Sequence, residues 1–258
     1  MLSRVEYILK LFDAHTHIDM KHFDNDRAKV ISRAKDAGVV GMVTSSIGVG
    51  SFRRTLGILK KYPGYVYHSA GCSVSQLTPD DANAIIKLTQ KYRDDIVAVG
   101  EVGLDYHWIK DANARKAQEP LFHQFIELAV DLDLPLVIHS RKAEAEATSM
   151  LEKSFSGPVL MHCYDGKSDV TKRIIDNGWS ITLPANFNRF RNRVDAANSI
   201  PIEQILLETD GPYMSPTNNR NEPMNIELGC KSLADLLNMD SEEVALVTTR
   251  NAKKFYNI

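Results

Sequence analysis

Residues 11–20 read LFDAHTHIDM, an apolar run that carries a polar side chain at every second position. The polar residues are Asp13, His15, His17 and Asp19. Because alternate side chains of an extended strand lie on one face, we expect all four to point the same way. Two imidazoles on one strand face can bind the same metal ion, whereas polar residues at a strand end are also typical of a solvated turn. The stretch therefore predicts a first strand whose chemistry depends on partners elsewhere in the chain.

The whole chain has the composition of an ordinary globular protein. It contains 258 residues, of which 43% are hydrophobic and 25% are charged, enough for a sizeable core in one or two domains. The formal net charge of −2 excludes a globally basic surface for non-specific nucleic-acid binding, although a metal-lined cleft can be locally cationic. No linker or short repeat divides the sequence, so we predict a single domain over residues 1–258, with residues 1–10 as an N-terminal extension of unknown role.

The cysteines and the N-terminal segment favour a reducing compartment. Cys72, Cys163 and Cys230 lie far apart without a C-x-x-C pair, which argues against a disulfide scaffold and against a cysteine zinc site. Residues 1–10 are too polar for a secretory signal, and no apolar run is long enough to span a bilayer. We therefore predict a cytoplasmic protein with no membrane association and no obligate protein partner.

Short apolar runs rich in β-branched residues alternate with helical patterns along the chain. The runs predict eight buried strands, at residues 11–17, 39–46, 65–71, 96–101, 134–139, 158–163, 179–183 and 204–209. Helical periodicity with capping residues predicts helices between them, among them residues 26–37, 78–93, 115–132 and 241–255. Strands that are apolar on both faces suit a parallel sheet covered by helices. We therefore predict an α/β fold, a (β/α)8 TIM barrel; the alternative is an open doubly wound sheet, but no G-x-G-x-x-G follows the first strand.

Histidines and carboxylates recur where the predicted strands end. Besides the pair in the first strand, these residues are Glu101, His139, His162, Glu208 and Asp210. In such barrels the active site lies at the C-terminal ends of the strands. Each residue alone has an ordinary explanation, such as a hydrogen-bonded core histidine, a buried ion pair or a turn. Together they would desolvate one another unless cations neutralised them, so a metal site explains the set best.

The number of candidate ligands indicates two metal ions. The candidates are His15, His17, Glu101, His139, His162 and Asp210. Six protein ligands exceed what one catalytic ion usually takes, because such an ion keeps positions open for water and substrate. A carboxylate can bridge two cations, and Glu101 on a central strand is the natural candidate. Mixed nitrogen and oxygen ligation leaves magnesium, manganese and zinc open, and the imidazoles favour zinc or manganese.

Several motifs resemble those of a known family. They are D-x-H-x-H at residues 13–17, GEVGLDYH at 100–107, LPLVIHSR at 134–141, VLMHCYDG at 159–166 and LLETDGPY at 206–213. Their sequences and order resemble the TatD family of metal-dependent hydrolases, within the amidohydrolase-like barrels, and the similarity covers nearly the whole chain from Leu11. The resemblance implies a TIM barrel, divalent metals and phosphodiester hydrolysis, typically as a deoxyribonuclease that trims single-stranded DNA from the 3′ end.

The resemblance also implies how the ligands divide between two metals. By motif position, one metal would be bound by His15, His17, Glu101 and Asp210. The other would be bound by Glu101, His139 and His162.

Some positions depart from the family pattern. HCYDG at residues 162–166 stands where an HCFSG-like stretch is usual, and TDGPY at residues 209–213 stands where the family more often has a serine before the proline. The third strand usually ends in G-x-H-P-H, whereas here it reads GCSVSQ, with Ser73 and Ser75 in place of two histidines. None of the implied metal ligands is lost. The departures concern residues that would contact the substrate.

These residues suggest a hydrolytic mechanism. A water activated by two cations would attack phosphorus, and Asp210 would act as ligand and proton acceptor, so Asp210 and Glu101 are the predicted catalytic residues. Asp13 could accept an imidazole N–H of His15 and fix its tautomer, or it could cap a loop. Glu208 could support a ligand in the same way.

Two basic features are candidates for substrate contacts. Arg141 shares a strand face with His139 and could bind a non-bridging phosphate oxygen, or it could form a salt bridge with the following helix. Residues 186–194, NFNRFRNRV, mix arginines with phenylalanines. Such a segment suits single-stranded nucleic acid, but a solvated amphipathic helix with aromatics inward is the favoured interpretation.

Two other functions compete with the nuclease. The same site could hydrolyse a small amide, ester or lactone, because this barrel supports many chemistries. A non-catalytic scaffold is disfavoured, because the charged cluster would then only destabilise the fold. The sequence therefore predicts a divalent-metal-dependent hydrolase whose substrate is DNA, in single-stranded form.

Overall fold

The computed structural model describes residues 8–258. Seven of the ten residues of the predicted N-terminal extension, residues 1–7, lie outside the described residues. The strands are β1 (Leu11–Thr16), β2 (Val39–Ile47), β3 (Val66–Gly71), β4 (Ala98–Gly103), β5 (Leu136–His139), β6 (Val159–Met161), β7 (Ser180–Pro184) and β8 (Ile205–Glu208). The α-helices are α1 (Arg27–Asp36), α2 (Val49–Leu59), α3 (Pro79–Lys91), α4 (Ala112–Leu132), α5 (Glu144–Ser154), α6 (Ser168–Asp176), α7 (Arg191–Ser199), α8 (Ile226–Leu237) and α9 (Ser241–Tyr256). Each predicted strand overlaps one observed strand.

The eight strands form a single parallel sheet in the order β1 to β8. Hydrogen bonds then join the region after β8 to β1. The backbone amide of Asp210 donates to the carbonyl of His15 at 3.0 Å, and the amide of His17 donates to the carbonyl of Gly211 at 2.8 Å. The sheet therefore curves round until its two edges meet. This confirms the predicted (β/α)8 barrel and excludes the open doubly wound sheet.

Local sequence explains where the helices begin, as α3 illustrates. The side chain of Thr78 accepts the backbone amide of Asp81, and Pro79 occupies the first helical position. Ile85 and Thr89 of α3 are buried against the barrel, as the helical period requires. Within residues 8–258, none of the helices combines the length and the apolar character needed to cross a membrane.

Two layers of apolar side chains build the core. The larger layer lies between the sheet and the surrounding helices. The smaller cluster draws residues from six strands, namely Phe12, Ala14, Val43, Ala98, Val137, Leu160 and Leu206. Side chains from so many strands can meet only inside the barrel, where Tyr256 of α9 joins them and donates its hydroxyl to the carbonyl of Ala14 at 2.8 Å. The interior is thus filled, which leaves the C-terminal strand ends as the place for polar chemistry.

Candidate metal centre

All six sequence-predicted ligands lie together at the C-terminal end of the barrel. His15 belongs to β1 and His17 follows it, Glu101 lies within β4, and His139 is the last residue of β5. His162 follows β6 directly, and Asp210 lies two residues beyond β8. Because the carboxyl ends of parallel strands meet at one rim of the barrel, these distant positions converge.

Glu101 is at the centre of the cluster. Its Oε2 atom lies 3.3 Å from Nε2 of His15 and 3.4 Å from Nε2 of His17. Its Oε1 atom lies 3.0 Å from Nδ1 of His139 and 3.6 Å from Nε2 of His162. Each carboxylate oxygen therefore faces one pair of histidines.

Asp210 adds a second carboxylate on the side of the first histidine pair. Its Oδ1 atom lies 3.3 Å from Nε2 of His17 and 3.8 Å from Nε2 of His15. Asp210 therefore joins His15, His17 and Glu101, which is the grouping that the family resemblance implied for one metal. The remaining grouping, Glu101 with His139 and His162, has its ligand atoms within 4.8 Å of one another.

The donor atoms of the cluster fit divalent cations. Within the described part of the chain, several buried side-chain atoms here have no hydrogen-bond partner: both ring nitrogens of His15, Nδ1 of His162, Oε2 of Glu101 and both carboxylate oxygens of Glu208. Buried polar atoms without partners destabilise a fold, and cations coordinated by these atoms would remove that penalty. Imidazole nitrogens with carboxylate oxygens are a ligand set for zinc or manganese.

Groups behind two of the histidines fix which ring nitrogen faces the centre. Nδ1 of His17 donates to the carbonyl of Ser45 at 2.8 Å, so Nε2 is directed at the carboxylates. Nε2 of His139 donates to Asp105 Oδ2 at 2.9 Å, so Nδ1 is directed at Glu101. Such outer partners orient metal ligands and raise their basicity. Sequence analysis missed Asp105, although it lies in the GEVGLDYH motif quoted for the family.

Asp13 and Asp19 do not join the cluster, contrary to the expectation that four alternate residues share one face. Asp13 accepts the backbone amide of Thr209 at 2.9 Å and its hydroxyl at 2.5 Å, so it ties β1 to β8 instead of orienting an imidazole. Asp19 accepts the hydroxyls of Thr44, at 3.0 Å, and of Ser51. The pairing of β1 with β2 shifts register beyond Asp13, and β1 ends at Thr16, so the strict alternation is interrupted.

Glu208 lies behind His162. Its Oε2 atom is 3.6 Å from Nδ1 of His162, and Glu208 is fully buried. The ligand atoms of Glu208, His15 and His162 lie within 4.8 Å of one another. Glu208 is therefore close enough either to support His162 or to contribute an oxygen to the centre.

Mutual electrostatics sets the protonation of the cluster. Burial alone would raise the pKa of Glu101, but His162, His139 and His15 hold it well below its usual range. Burial alone would lower the pKa of His17, but the carboxylates of Asp210 and Glu101 raise it to about 9. The pKa of His162 is raised well above its usual value by Glu101 and Glu208, against the effect of burial. Protons on His17 and His162 thus balance the carboxylates, whereas burial holds the pKa of His15 below its ordinary value. Binding cations would replace those protons.

Two glycines let the backbone carry Glu101 into the centre. Gly100 has a φ of +148°, and a Cβ there would lie 2.4 Å from the carbonyl oxygen of Val137. A Cβ on Gly71 of β3 would lie 2.3 Å from the backbone of Glu101. Both positions therefore require glycine for the close approach of neighbouring strands.

The predicted substrate residue Arg141 lies on the exposed rim. Its guanidinium carbon is 5.6 Å from the centre of the Trp108 ring, which follows β4 and is 64% exposed. Among the ion pairs of residues 8–258, none links Arg141 to the following helix. Ser73 and Ser75 lie just after β3, and Ser75 belongs to a 3₁₀ turn over Val74–Gln76.

Residues 186–194 form a 3₁₀ turn and the start of α7. Phe187 is fully buried, whereas Phe190 is 39% exposed. Arg191 is exposed and pairs with Asp195 at 3.3 Å, whereas Arg193 is buried. The favoured interpretation, a solvated helix with its aromatics inward, is therefore wrong for Phe190 and for Arg193.

Comparison with known proteins finds similarity over nearly the whole chain. The model of the family described as TatD related DNase matches residues 12–257. The deoxyribonuclease TATDN3 of Homo sapiens is 30% identical over 258 residues, covering 95% of this chain and 94% of that protein. The 3′-5′ ssDNA/RNA exonuclease TatD of Pantoea ananatis is 28% identical over 263 residues, covering 96% of this chain and 100% of that protein.

Solved structures have the same fold. The crystal structure of YJJV, a TatD homolog from Escherichia coli, superposes with a TM-score of 0.88 at 23% identity, covering 98% of this chain and 100% of that chain. A TatD family hydrolase from Entamoeba histolytica superposes with a TM-score of 0.84 at 19% identity, covering 97% of this chain and 99% of that chain. At these identities the likeness concerns the fold.

Proposed function

The chain belongs to the family of TatD-related DNases, and from this we propose that it is a divalent-metal-dependent hydrolase that cleaves phosphodiester bonds of nucleic acid. Within this class we propose 3′–5′ exonucleolytic trimming of single-stranded DNA. The relative from Pantoea ananatis is named a 3′-5′ ssDNA/RNA exonuclease and the human relative a deoxyribonuclease. Their names support the choice of nucleic acid as the substrate.

The position of the Glu101 carboxylate is the observation that carries the proposal. One of its oxygens lies within 3.4 Å of a nitrogen of both His15 and His17, and the other lies within 3.6 Å of His139 and His162. A carboxylate whose two oxygens face separate histidine pairs suits two neighbouring cations that share it. Two adjacent cations are the usual arrangement for hydrolysis of phosphodiesters.

The residues of the centre would divide the work of hydrolysis. His15, His17, Glu101, His139, His162 and Asp210 would hold two divalent cations. Such cations polarise a phosphoryl oxygen, lower the pKa of a water and stabilise the leaving oxygen. Asp210 accepts the proton of the attacking water, because its pKa is held low by His17 against the effect of burial and its carboxylate is ionised at neutral pH. Asp105 and the carbonyl of Ser45 keep His139 and His17 in the tautomers that face the centre.

Exposed aromatic side chains near the centre favour a single-stranded substrate. Trp108 is 64% exposed, Tyr213 48% and Phe190 39%. They follow β4, β8 and β7 respectively, so all three lie at the end of the barrel that carries Glu101. Aromatic rings stack on the faces of unpaired bases, which a duplex does not offer. Arg141 over the Trp108 ring adds a positive charge to this surface.

End-labelled DNA tests the proposal. The protein, stripped of metal and then supplied separately with magnesium, manganese or zinc, is expected to remove nucleotides from the 3′ end of a single strand. Parallel reactions use a 3′-blocked strand, the corresponding duplex or an RNA strand as the substrate, and a further reaction contains a chelator. The proposal fails if no metal produces loss of terminal nucleotides from any strand.

Hydrolysis of a small amide, ester or lactone is the second candidate. The observation that favours it is the pair Ser73 and Ser75 in place of two family histidines, which concerns the substrate side of the site. A panel of small esters, lactones and N-acyl amino acids, assayed under the same metals as the DNA, separates the two candidates. Turnover of a panel member at rates far above those on DNA would establish the second.

We also propose a cytoplasmic location. Cys72, Cys163 and Cys230 are all free, and Cys72 and Cys230 are buried. Free cysteines are typical of proteins that fold in a reducing compartment. Fractionation of the source cells with an antibody to this chain tests the location.

A further inference from the structure

Arg193 is a buried cation beside the candidate metal centre. It lies in the first turn of α7 and is only 6% exposed. Its Nη2 atom lies 3.3 Å from Sγ and 3.5 Å from the carbonyl oxygen of Cys163, the residue that follows His162. The guanidinium thus reaches from α7 to the strand end that carries one of the candidate ligands.

The charge of Arg193 is poorly compensated by the protein. Among residues 8–258, its Nε and Nη1 atoms have no hydrogen-bond partner. Within the described part of the chain, the one carboxylate in ion-pair range of Arg193 is Asp165, whose Oδ1 is 4.0 Å from Nε. The Nζ atom of Lys142 lies 3.9 Å from the other oxygen of Asp165. A buried guanidinium normally donates to carboxylates or carbonyls in short, paired geometry. Leaving two of its nitrogens unpaired is unfavourable unless an anion occupies them.

The surroundings of Arg193 hold the guanidinium in place without neutralising it. Its guanidinium carbon lies 4.5 Å from the centre of the Phe190 ring, a cation–π contact. Phe190 is 39% exposed, so the ring covers the guanidinium at the edge of the rim. The start of α7 adds the positive end of a helix dipole. Arg193 is therefore fixed before any ligand arrives, with unused donors.

We propose that Arg193 binds a backbone phosphate of the substrate strand as that strand lies across the metal centre. The inference rests on the proposed function, because it assigns the substrate's phosphodiester as the missing anion. Sequence analysis considered Arg141 as the residue that binds a phosphate oxygen. The inference assigns this role to the buried Arg193. Charge-assisted, forked hydrogen bonds from guanidinium to phosphate provide both affinity and orientation.

Substitution of Arg193 with a matched control provides the kinetic test. Arg193→Met keeps the volume and removes the donors, Arg193→Lys keeps the charge without the fork, and Arg191→Met removes an exposed arginine of the same helix. We expect Arg193→Met to weaken binding of the single strand by about tenfold to a hundredfold, the range of one charge-assisted contact, with partial recovery in Arg193→Lys. Arg191→Met should stay within about twofold. Equal effects of the two methionine variants would overturn the inference.

Neutral linkages in the substrate locate the contact. A methylphosphonate replaces one charged phosphate, either at the scissile bond or at its neighbour. In the wild-type protein, one of these replacements should weaken binding, and the same replacement should have little further effect in Arg193→Met, because the contact is already lost. If each methylphosphonate weakens binding by Arg193→Met as much as it weakens binding by the wild-type protein, Arg193 contacts neither phosphate.

Stability and phosphate binding provide readouts that do not need turnover. If Arg193 is an uncompensated charge, the Tm of Arg193→Met should equal or exceed that of the wild-type protein in phosphate-free buffer. Inorganic phosphate should raise the Tm of the metal-loaded wild-type protein more than that of Arg193→Met. A lower Tm for Arg193→Met, with equal phosphate shifts in both proteins, would show a structural role and overturn the inference. A wild-type protein that degrades no strand would refute the proposed function, while these two measurements still decide whether Arg193 binds phosphate.

Discussion

Asp105 accepts the Nε2–H of His139 at 2.9 Å, and the opposite nitrogen of that ring faces Glu101 at 3.0 Å. Backbone amides of His107 and Trp108 also donate to Asp105, at 2.8 and 2.7 Å. Asp105 is therefore itself held in place, with one oxygen left for the imidazole. This relationship links the loop after β4 to a candidate metal ligand, His139, at the end of β5.

Asp105→Asn should weaken metal binding by about tenfold to a hundredfold, the range for outer partners of metal ligands. The amide has one acceptor oxygen instead of two, so it cannot accept from both the backbone amides and His139, and it lacks the charge that raises the basicity of His139. Titration with a competing chelator measures the affinity. Asp133→Asn is the control, because Asp133 is an exposed carboxylate with a φ of +49°, a conformation that asparagine tolerates. Equal affinities in the two variants would remove the supporting role of Asp105.

Asp210→Asn should lower turnover by about a hundredfold to ten-thousandfold, because a neutral amide cannot accept the proton of the attacking water. Binding of the single strand should change much less, since the contact matters mainly in the transition state. Single-turnover rates at saturating metal and anisotropy of a labelled strand measure the two effects. Asp195→Asn on the exposed face of α7 is the control. Full activity of Asp210→Asn at restored metal content would exclude Asp210 as the proton acceptor.

The fold could be predicted from the sequence because its signals are local. Apolar runs with β-branched residues mark each strand, and caps such as Thr78 mark helix starts. The convergence of Glu101, His139 and His162 followed from one geometric fact, that the ends of parallel strands meet. The candidate metal centre could therefore be predicted from the sequence without any knowledge of side-chain contacts.

The remaining parts of the site depend on tertiary contacts that leave no pattern in the sequence. Asp105 resembles a turn residue until its bond to His139 is seen, and Arg193 is one of several arginines in a segment with a helical period. Asp13 follows the alternation that suggested a role beside His15, but in the structure it accepts hydrogen bonds from Thr209. The roles of Asp105, Arg193 and Asp13 depend on their burial and on their hydrogen-bond partners, which only the folded structure shows.

Trp108→Ala should weaken binding of single-stranded DNA by about fivefold to a hundredfold, the range for loss of one base-stacking ring. Binding of a blunt duplex should change little. The measurement is fluorescence anisotropy in the Asp210→Asn background, which is expected to keep the strand intact. Leu246→Ala is the control, because Leu246 of α9 is 68% exposed and lies outside the rim. A loss in Leu246→Ala as large as that in Trp108→Ala would exclude stacking on Trp108.

His68 of β3 should make the folded protein sensitive to acid independently of the metal centre. It is fully buried, with Nε2 at 2.8 Å from the hydroxyl of Ser46 and the Phe52 ring against it, and burial lowers its pKa to about 3. The unfolded chain titrates near the ordinary histidine value of about 6.5. Between these values the unfolded state binds a proton that the folded state does not, so stability is complete above pH 6.5 and falls as the pH drops towards 3.

His68→Gln should remove this part of the acid sensitivity, because the amide can replace the bond to Ser46 and does not titrate. On going from pH 7 to pH 5, the free energy of unfolding should fall by about 2 kcal/mol less in the variant than in the wild-type protein. Urea unfolding of both proteins at pH 7, 6 and 5 in the same chelating buffer measures the difference. The histidines around Glu101 titrate in both proteins, so their effect cancels in the comparison. Parallel stability curves for the two proteins would mean that His68 is protonated in the folded state or that its environment is not apolar.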